Sequence, residues 1–125
     1  MLIDTDVLVW YMRGNEKAKR LIRNTNGFSI SVVTYIELVQ GLRNKEELSI
    51  LRNSFKSWSA TIIYINEEIS TKAMFLVEQY FLSHSIQLAD ALIGATSMIY
   101  GLPLQTANTK HYKIIKNIIL KKFHP

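Results

Sequence analysis

The sequence MLIDTDVLVWY, residues 1–11, contains an apolar run that is interrupted by acidic residues. Leu2 and Ile3 are followed by Asp4, Thr5 and Asp6, and apolar side chains then resume. An apolar run that ends in small polar residues able to cap a helix is typical of a buried parallel strand leading into a helix. Ligands of open parallel sheets bind at the carboxyl ends of the strands. The pattern therefore predicts that Asp4 lies in a functional crevice at the end of a central strand.

The rest of the chain alternates between strand-like and helical patterns. Further strands are predicted at residues 28–32, 61–65 and 104–106, and an edge strand at 118–120. Apolar spacings of three and four predict helices at residues 5–12, 16–24, 33–43, 45–57, 67–83 and 89–100. Strands that alternate with helices form parallel sheets covered on both faces. We therefore predict an α/β fold, a three-layer α/β/α sandwich with a central parallel sheet of four to five strands, in which residues 1–125 form a single domain.

Positive charge is concentrated towards the carboxyl terminus. The chain contains 15 Lys and Arg and 10 Asp and Glu, which gives a net charge of +5. Residues 1–90 contain as many basic as acidic side chains, whereas residues 91–125 contain five lysines and no acid. A basic segment of this kind favours a polyanion such as nucleic acid as a partner, and a lysine-rich solvated surface is the alternative explanation.

Composition excludes several classes of site. The chain has no cysteine, which excludes disulfides, thiolate metal sites and a cysteine nucleophile. No apolar run approaches the length of a membrane span, and the acid at position 4 interrupts the only early apolar stretch that a signal peptide would need. These features predict a soluble, cytoplasmic protein with no membrane partner.

Two further acids, Glu37 and Asp90, occupy positions where a surface charge is not expected. Both lie in apolar helical stretches, and neither has a basic residue three or four positions away. A carboxylate in such surroundings is unfavourable unless it is neutralised, and a bound metal would do this. Each acid is also predicted near the start of a helix, so both could converge with Asp4 at one end of the sheet. Oxygen-only ligands favour Mg²⁺ or Mn²⁺, which keep several waters and complete their coordination with phosphate oxygens.

Each of the three acids also has a purely structural explanation. Asp4 could only cap the first helix, and Asp90 in a first turn would be favoured by the helix dipole. Thr34 and Glu37 match the Ser/Thr-x-x-Glu pattern of a capping box. The sequence leaves these explanations open. A protein without a metal site would require all three of them to be correct at once.

Other polar residues lie close to the predicted site. Asp6 could be a fourth ligand, a surface cap or a residue that supports the ligands from behind, and we expect the last of these. Thr5, Thr34 and Thr106 each lie near a proposed site residue or strand end, where a hydroxyl could orient carboxylates or water, although threonine in such a place is as often a cap. The histidines lack the spacing of metal ligands, and His111 is expected to serve structure or RNA contact.

Four segments of the chain resemble the PIN domain and, within it, the toxin nucleases of VapC type. They are LIDTDVLVWYM, TYIELVQGL, LADALIGAT and LQTANTKHY, in the order and spacing of that family. The resemblance implies an acidic site that depends on Mg²⁺ or Mn²⁺ and cleaves single-stranded or loop RNA. It places the family's first three acids on Asp4, Glu37 and Asp90, which are expected to bind the metal, Glu37 directly or through water.

The fourth acidic position of the family falls on Asn108, which we include among the catalytic residues. An uncharged amide is a weak ligand for a second cation, so two ions are not expected to bind tightly without substrate. Asp6 stands where relatives often have Asn or Ser. The resemblance also implies a small antitoxin protein as partner, and a homodimer.

Contacts to RNA are predicted from charge and aromatic character. Lys110, Lys113 and Lys116 are expected to bind the RNA backbone, an assignment that rests on charge alone. Trp10 and Tyr11 could stack on bases, but their helical spacing favours packing in the core or an interface. If a water activated by the metal is the nucleophile, cleavage leaves a 5′-phosphate and a 3′-hydroxyl.

Two other functions stay open from the sequence alone. Asp4-Thr5-Asp6 also matches the Asp-x-Asp start of phosphatases of haloacid-dehalogenase type, but these need a later acidic pair and no acid follows Asp90. The other alternative is a non-catalytic module of this fold that binds RNA or a partner protein. The three unpaired acids argue against it.

Overall fold

The computed structural model of the protein describes residues 1–125 and contains one sheet of five short strands. The strands are Leu2–Ile3 (β1), Ser29–Ser31 (β2), Thr61–Ile63 (β3), Leu104–Thr106 (β4) and Leu120–Lys122 (β5). They are ordered β3-β2-β1-β4-β5, and every neighbouring pair is parallel. The predicted central parallel sheet is confirmed, with β1 in its middle.

Six α-helices cover the sheet. They are Thr5–Met12 (α1), Glu16–Asn24 (α2), Val32–Gln40 (α3), Lys45–Ser57 (α4), Glu67–Tyr80 (α5) and Leu88–Tyr100 (α6). A single turn of 3-10 helix, Thr109–His111, follows β4. None of the helices combines the length and the apolar character that crossing a bilayer requires.

Two hydrophobic clusters lie on opposite faces of the sheet. Leu2 and Ile3 are both fully buried, and each belongs to a different cluster because successive strand residues point to opposite faces. One cluster includes Ile69 of α5 and Ala91 of α6. The other is built from α1, α2, α3 and α4, with Leu38 of α3 among its members. This arrangement confirms the predicted three-layer α/β/α sandwich.

Small residues let α6 pack closely against the segment that follows β4. A β-carbon at Gly94 would lie 3.0 Å from Cδ1 of Ile115 and 3.7 Å from Cδ1 of Tyr112, so a larger residue would push this segment away. Gly101 ends the helix with φ +62°, a left-handed conformation that glycine adopts without strain. The close approach brings Tyr112 beside the first turn of α6, which carries Asp90.

Several boundaries differ from the sequence predictions. β1 ends at Ile3 rather than at Asp4, which caps α1 instead. α3 begins one residue earlier than predicted because the Ser31 hydroxyl accepts a hydrogen bond from the Val33 amide at 3.1 Å. The predicted helices at 33–43 and 67–83 each end three residues too late, since α3 ends at residue 40 and α5 at residue 80.

The edge strand is predicted two residues too early, at 118–120 instead of 120–122. Its register pairs Leu120 with Leu104. Phe123 fixes this register, because its side chain is buried and its amide donates to the Thr106 carbonyl at 2.8 Å. The apolar residues at 118 and 119 precede the strand rather than form it.

The capping-box explanation for Glu37 is wrong. Ser31 is the N-cap of α3, and Thr34 is a fully buried residue inside the helix. Glu37 is the sixth residue of α3, not a residue near its start as predicted. It therefore reaches the site described below from the middle of a helix.

Candidate functional site

The acids singled out in the sequence surround one pocket at the carboxyl end of the sheet. Asp4 and Asp6 stand at the start of α1, directly after β1, and Asn108 follows β4. Glu37 comes from α3 and Asp90 from the first turn of α6. All five side chains line a cavity of about 320 Å³. Residues that are distant in sequence are thus brought to the place where ligands of parallel sheets bind.

Asp4 is the most buried of these acids, with 6% of its surface exposed. Its Oδ1 accepts a hydrogen bond from the Thr5 amide at 2.8 Å, and its Oδ2 accepts one from the Thr106 hydroxyl at 2.9 Å. Burial raises the pKa of Asp4 to about 6, and the nearby charge of Asp6 adds to the effect. A cation in the pocket would stabilise the charged form of this carboxyl.

Asp6 links the start of α1 to the loop after β4. Its Oδ2 accepts hydrogen bonds from the Ala107 amide at 3.0 Å and from the Thr106 hydroxyl at 3.3 Å. Its Oδ1 is buried and has no hydrogen-bond partner in the protein. Burial raises the pKa of Asp6 as well. Because buried polar atoms are nearly always paired, this oxygen is available to a bound water or cation.

The Thr106 hydroxyl lies between Asp4 and Asp6 and accepts a hydrogen bond from the Asn108 amide at 3.0 Å. A hydroxyl has one proton, so Thr106 can donate to only one of the two acids at a time. The contact with Asp4 is the shorter one. Thr106 therefore orients one carboxylate and leaves the other incompletely paired.

Hydroxyl groups also fix Glu37. Its Oε1 accepts a hydrogen bond from the Thr5 hydroxyl at 2.7 Å, and Thr5 Oγ1 lies 3.0 Å from the hydroxyl oxygen of the fully buried Thr34. If Thr34 donates to Thr5 and Thr5 donates to Glu37, both hydroxyl protons are used. No cation approaches Glu37 within salt-bridge distance. Among the hydrogen bonds of the protein, this carboxylate thus accepts only from a neutral donor.

Asp90 has partners that its sequence neighbours did not indicate. Its Oδ1 lies 3.3 Å from the Tyr112 hydroxyl, which donates to it, and its Oδ2 lies 3.4 Å from Nδ1 of His111. Burial raises the pKa of Asp90, whereas the charge of His111 and the Tyr112 hydrogen bond act in the opposite direction. The expectation that Asp90 is unpaired is therefore wrong in the folded chain, because residues from beyond β4 contact it.

Sequence reasoning missed Tyr112. The residue closes the segment LQTANTKHY, but nothing in the sequence separates it from other aromatic residues of the core. For Thr34 the sequence indicates only a cap or a hydroxyl that orients carboxylates or water. Its contact with Thr5 depends on how α3 packs against α1, which no local pattern encodes.

The pocket fits Mg²⁺ or Mn²⁺, because the side chains that could bind an ion there offer carboxylate and amide oxygens, with His111 as the one imidazole. The acids surround the pocket without closing on one point, since no three acidic or histidine side chains form a preformed metal site. Mg²⁺ binds through one or two carboxylates and keeps several waters, so a complete protein cage is not required. The unpaired Oδ1 of Asp6 is consistent with a site that an ion and its waters would complete.

Lys110, Lys113 and Lys116 are exposed and lie in the segment that follows Asn108. None of them forms a salt bridge. They do not line the pocket itself. The structure thus places three free cations next in the chain to the site, and their role in RNA binding stays a prediction.

Of the two aromatic residues near the start of the chain, only Trp10 lines the pocket. The Arg13 guanidinium lies 5.8 Å from the Trp10 ring centroid, a cation–π contact. Tyr11 instead packs edge-on against Trp58, with ring centroids 5.0 Å apart. Trp10 therefore has the better position for contact with a bound base.

A larger groove of about 620 Å³ runs beside the pocket, between α1, α3 and α4. Glu37 and Arg13 line both cavities, so the groove opens directly onto the acidic site. Most of its lining is apolar, with the charged residues Arg43 and Glu47 at one side, 3.0 Å apart. An extended or helical segment lying in this groove would reach Glu37.

A family model described as PIN domain matches residues 1–117. Ribonuclease VapC1 from Methanocaldococcus jannaschii is 33% identical over 122 residues, which cover 97% of this chain and 85% of the relative. Ribonuclease VapC10 from Mycobacterium tuberculosis is 33% identical over 124 residues, which cover 94% and 90%. Among solved structures, a toxin-antitoxin complex from Klebsiella pneumoniae superposes with a TM-score of 0.76 and 27% identity, over 98% of both chains. The family match includes every residue that lines the acidic pocket.

Proposed function

Because the chain belongs to the PIN domain family, we propose that it is a metal-dependent endoribonuclease and the toxin of a toxin-antitoxin pair. The observation that carries the proposal is the convergence of Asp4, Glu37 and Asp90 on one pocket. The similarity to ribonucleases VapC1 and VapC10 supports RNA as the substrate. RNA as a substrate also fits a cytoplasmic location.

We assign Mg²⁺ or Mn²⁺ to the side of the pocket bounded by Asp4 and Asp90, with Glu37 as a further ligand, directly or through water. The bound ion would supply Lewis-acid chemistry, which activates water and neutralises charge that develops on the phosphate. The disfavoured charge of Asp4 and the unpaired Oδ1 of Asp6 support a cation at this place. Because Asn108 carries no charge, we expect one ion rather than two before RNA binds.

The chain's own residues keep the ligands in place. Thr5 donates to Glu37, and Thr106 donates to Asp4. Asp6 accepts from the Ala107 amide and so fixes the loop that carries Asn108 against the start of α1. Donor oxygens that already face the pocket need little reorganisation when RNA arrives.

RNA contacts are assigned to exposed cations and one aromatic ring. Lys110, Lys113 and Lys116 are free to bind phosphates of a strand that enters the pocket, since none is paired with an acid. Trp10 lines the pocket and can stack on a base beside the scissile phosphate.

We assign the groove between α1, α3 and α4 to an antitoxin segment. The similarity to a toxin-antitoxin complex supports such a partner. The groove is largely apolar and ends at Glu37, so an occupant would cover the acidic pocket and inhibit cleavage. A homodimer is part of the same proposal and follows from the family resemblance.

The phosphatase alternative is disfavoured by the surroundings of Asp6. In an Asp-x-Asp phosphatase the second acid must reach the substrate, whereas Asp6 Oδ2 is bound to the Ala107 amide and the Thr106 hydroxyl. No acid follows Asp90 to complete such a site. Non-catalytic RNA binding is the remaining alternative. Substitution of the acids distinguishes it, because only a nuclease has a cleavage activity to lose.

The experiment is cleavage of a labelled mixture of cellular RNAs by the wild-type protein, Asp4→Asn and Asp90→Asn. Each variant should lose more than about 100-fold in rate, which exceeds the usual effect of residues that only support ligands. Glu46→Gln, an exposed acid in α4, is the matched control and should cleave normally. EDTA should stop cleavage, and added Mg²⁺ or Mn²⁺ should restore it.

Three results would overturn the proposal. Full activity of Asp4→Asn or Asp90→Asn would remove the acids from the reaction. Cleavage that continues in EDTA, or products ending in 2′,3′-cyclic phosphate, would indicate acid–base chemistry without a metal. RNA binding without any cleavage in Mg²⁺ or Mn²⁺ would favour the non-catalytic module.

A further inference from the structure

Tyr112 is the largest side chain that is fully buried, yet its polar end lies among the acids of the pocket. Its ring belongs to the cluster of α5 and α6, and it contacts the position of Gly94. Its hydroxyl lies 3.3 Å from Oδ1 of Asp90. The phenol therefore reaches Asp90, one of the two acids to which we assign the metal.

The hydroxyl of Tyr112 is a donor that the core holds in place. A phenol is protonated at neutral pH, and this one donates to Asp90 at 3.3 Å. Because the ring is enclosed, the hydroxyl cannot swing away into solvent. His111, the other partner of Asp90, has a half-exposed side chain and can leave the acid without disturbing the core.

We propose that Tyr112 is a positioning residue of the metal site, whose hydroxyl holds one oxygen of Asp90 and so directs the other towards a cation shared with Asp4. The inference rests on the proposed function, because it assumes that these two acids bind the ion. Carboxylates that bind metals are commonly held by a further hydrogen bond, and loss of that partner weakens metal binding about 10- to 100-fold.

The experiment measures Mn²⁺ affinity by isothermal titration calorimetry in the wild-type protein and in Tyr112→Phe. Phenylalanine keeps the ring and its packing and removes only the hydroxyl. Tyr100→Phe is the matched control, because Tyr100 is a half-exposed residue at the end of α6, away from the pocket. We expect affinity to fall about tenfold or more in Tyr112→Phe and to stay within about twofold of wild type in the control.

The outcomes separate the inference from the function on which it rests. Wild-type affinity in a folded Tyr112→Phe protein would overturn the inference alone. A lower melting temperature with unchanged Mn²⁺ affinity would also overturn it, since that result indicates a merely structural role. A wild-type protein that binds no Mn²⁺ would overturn the proposed function together with the inference.

A second measurement follows the wild-type protein and does not depend on the folding of Tyr112→Phe. With ¹³C-labelled tyrosine, the Cζ resonance of Tyr112 should shift when Mg²⁺ is added, because the Asp90 carboxylate that accepts its proton becomes a ligand. The chain has six tyrosines, and single Phe substitutions of the other five identify the Tyr112 signal by elimination. Binding of Mg²⁺ with no shift of that resonance would overturn the proposal.

Discussion

The two sides of the acidic pocket are built differently. We call the inner side the one formed by Asp4, Thr5 and Glu37, and the outer side the one formed by Asp90, Asn108 and His111. On the inner side, both acids receive hydrogen bonds from hydroxyls or backbone amides and meet no cation. On the outer side, Asn108 and His111 are exposed, and the acid contacts an imidazole.

This difference indicates where a bound cation contributes most. Neutral donors orient the inner carboxylates but do not cancel their charge, so the deeply buried Asp4 is electrostatically unfavourable without an ion. Asp90 can be compensated by His111 and by water when no ion is bound. The inner side is thus preorganised but strained by its own charge, while the outer side can adapt to the substrate.

The largest change in the free energy of unfolding is expected for Asp4→Asn, measured in EDTA so that no metal ion is bound. A folded-state pKa of about 6, against 3.8 for the unfolded chain, corresponds to about 3 kcal/mol that opposes folding once the group is charged. Because the folded pKa is raised, this cost is absent below about pH 4, grows as the pH rises and is complete above about pH 6. Asp4→Asn should therefore be more stable than wild type by about 1–3 kcal/mol at about pH 8, and by much less at about pH 4. Urea unfolding at the two pH values measures the difference.

Asp90→Asn is the comparison that makes this test specific. Its side chain is more exposed than that of Asp4, 20% against 6% for the residue Asp4, and it accepts a hydrogen bond from Tyr112, so the substitution should stabilise the metal-free protein less than Asp4→Asn does. Added Mg²⁺ should stabilise the wild type and neither variant, since both lack a ligand. If Asp4→Asn raised the free energy of unfolding equally at the two pH values, the charge of Asp4 would not be the cause, and the distinction between the inner and outer sides would be wrong.

The inner side was also the easier one to predict from the sequence. A strand that ends in Asp-Thr-Asp places its acids by the general rule for parallel sheets, and helical patterns with the breaking residues between them gave the bounds of α1, α2 and α4. Asp90 reaches the same edge from the first turn of a helix, as predicted, whereas Glu37 reaches it from the middle of α3. The features that were predicted correctly depend on local patterns.

The remaining features depend on packing between segments that are far apart in sequence. Ser31 and Thr34 are both residue types that cap helices. Thr34 is buried inside the helix, so Ser31 is the N-cap, and the local sequence does not reveal this burial. The contacts of His111 and Tyr112 with Asp90 require α6 to lie close to the segment after β4, which Gly94 permits. The β5 register is set by burial of Phe123, one residue beyond the strand.

A moderate effect is expected from Thr5→Val, which tests the hydroxyl chain of the inner side. Valine keeps the shape of the side chain and the amide that donates to Asp4, and it removes the hydrogen bond to Glu37. RNA cleavage should fall about tenfold, and stability should fall by about 1 kcal/mol. Thr71→Val, at an exposed position in α5, is the control for a lost hydroxyl. Cleavage within about twofold of wild type would show that Glu37 does not need Thr5.

The smallest effect per residue is expected from the lysines beyond the outer side. Replacing Lys110, Lys113 and Lys116 by alanine should weaken RNA binding and reduce its dependence on salt. Each lost phosphate contact on a single strand lowers the slope of log affinity against log salt by about 0.7, so three contacts give a change of about 2. Binding is measured in the Asp90→Asn background, where RNA stays intact.

The matched control replaces the exposed lysines Lys17, Lys45 and Lys56, which lie in α2 and α4. Both triple variants have the same net charge, so an effect of total charge alone would change their slopes equally. A smaller slope only in the variant of residues 110–116 assigns the RNA path to the outer side. Equal slopes would instead mean that RNA is attracted by the whole surface, and that the exposed lysines near Asn108 have no special part in binding it.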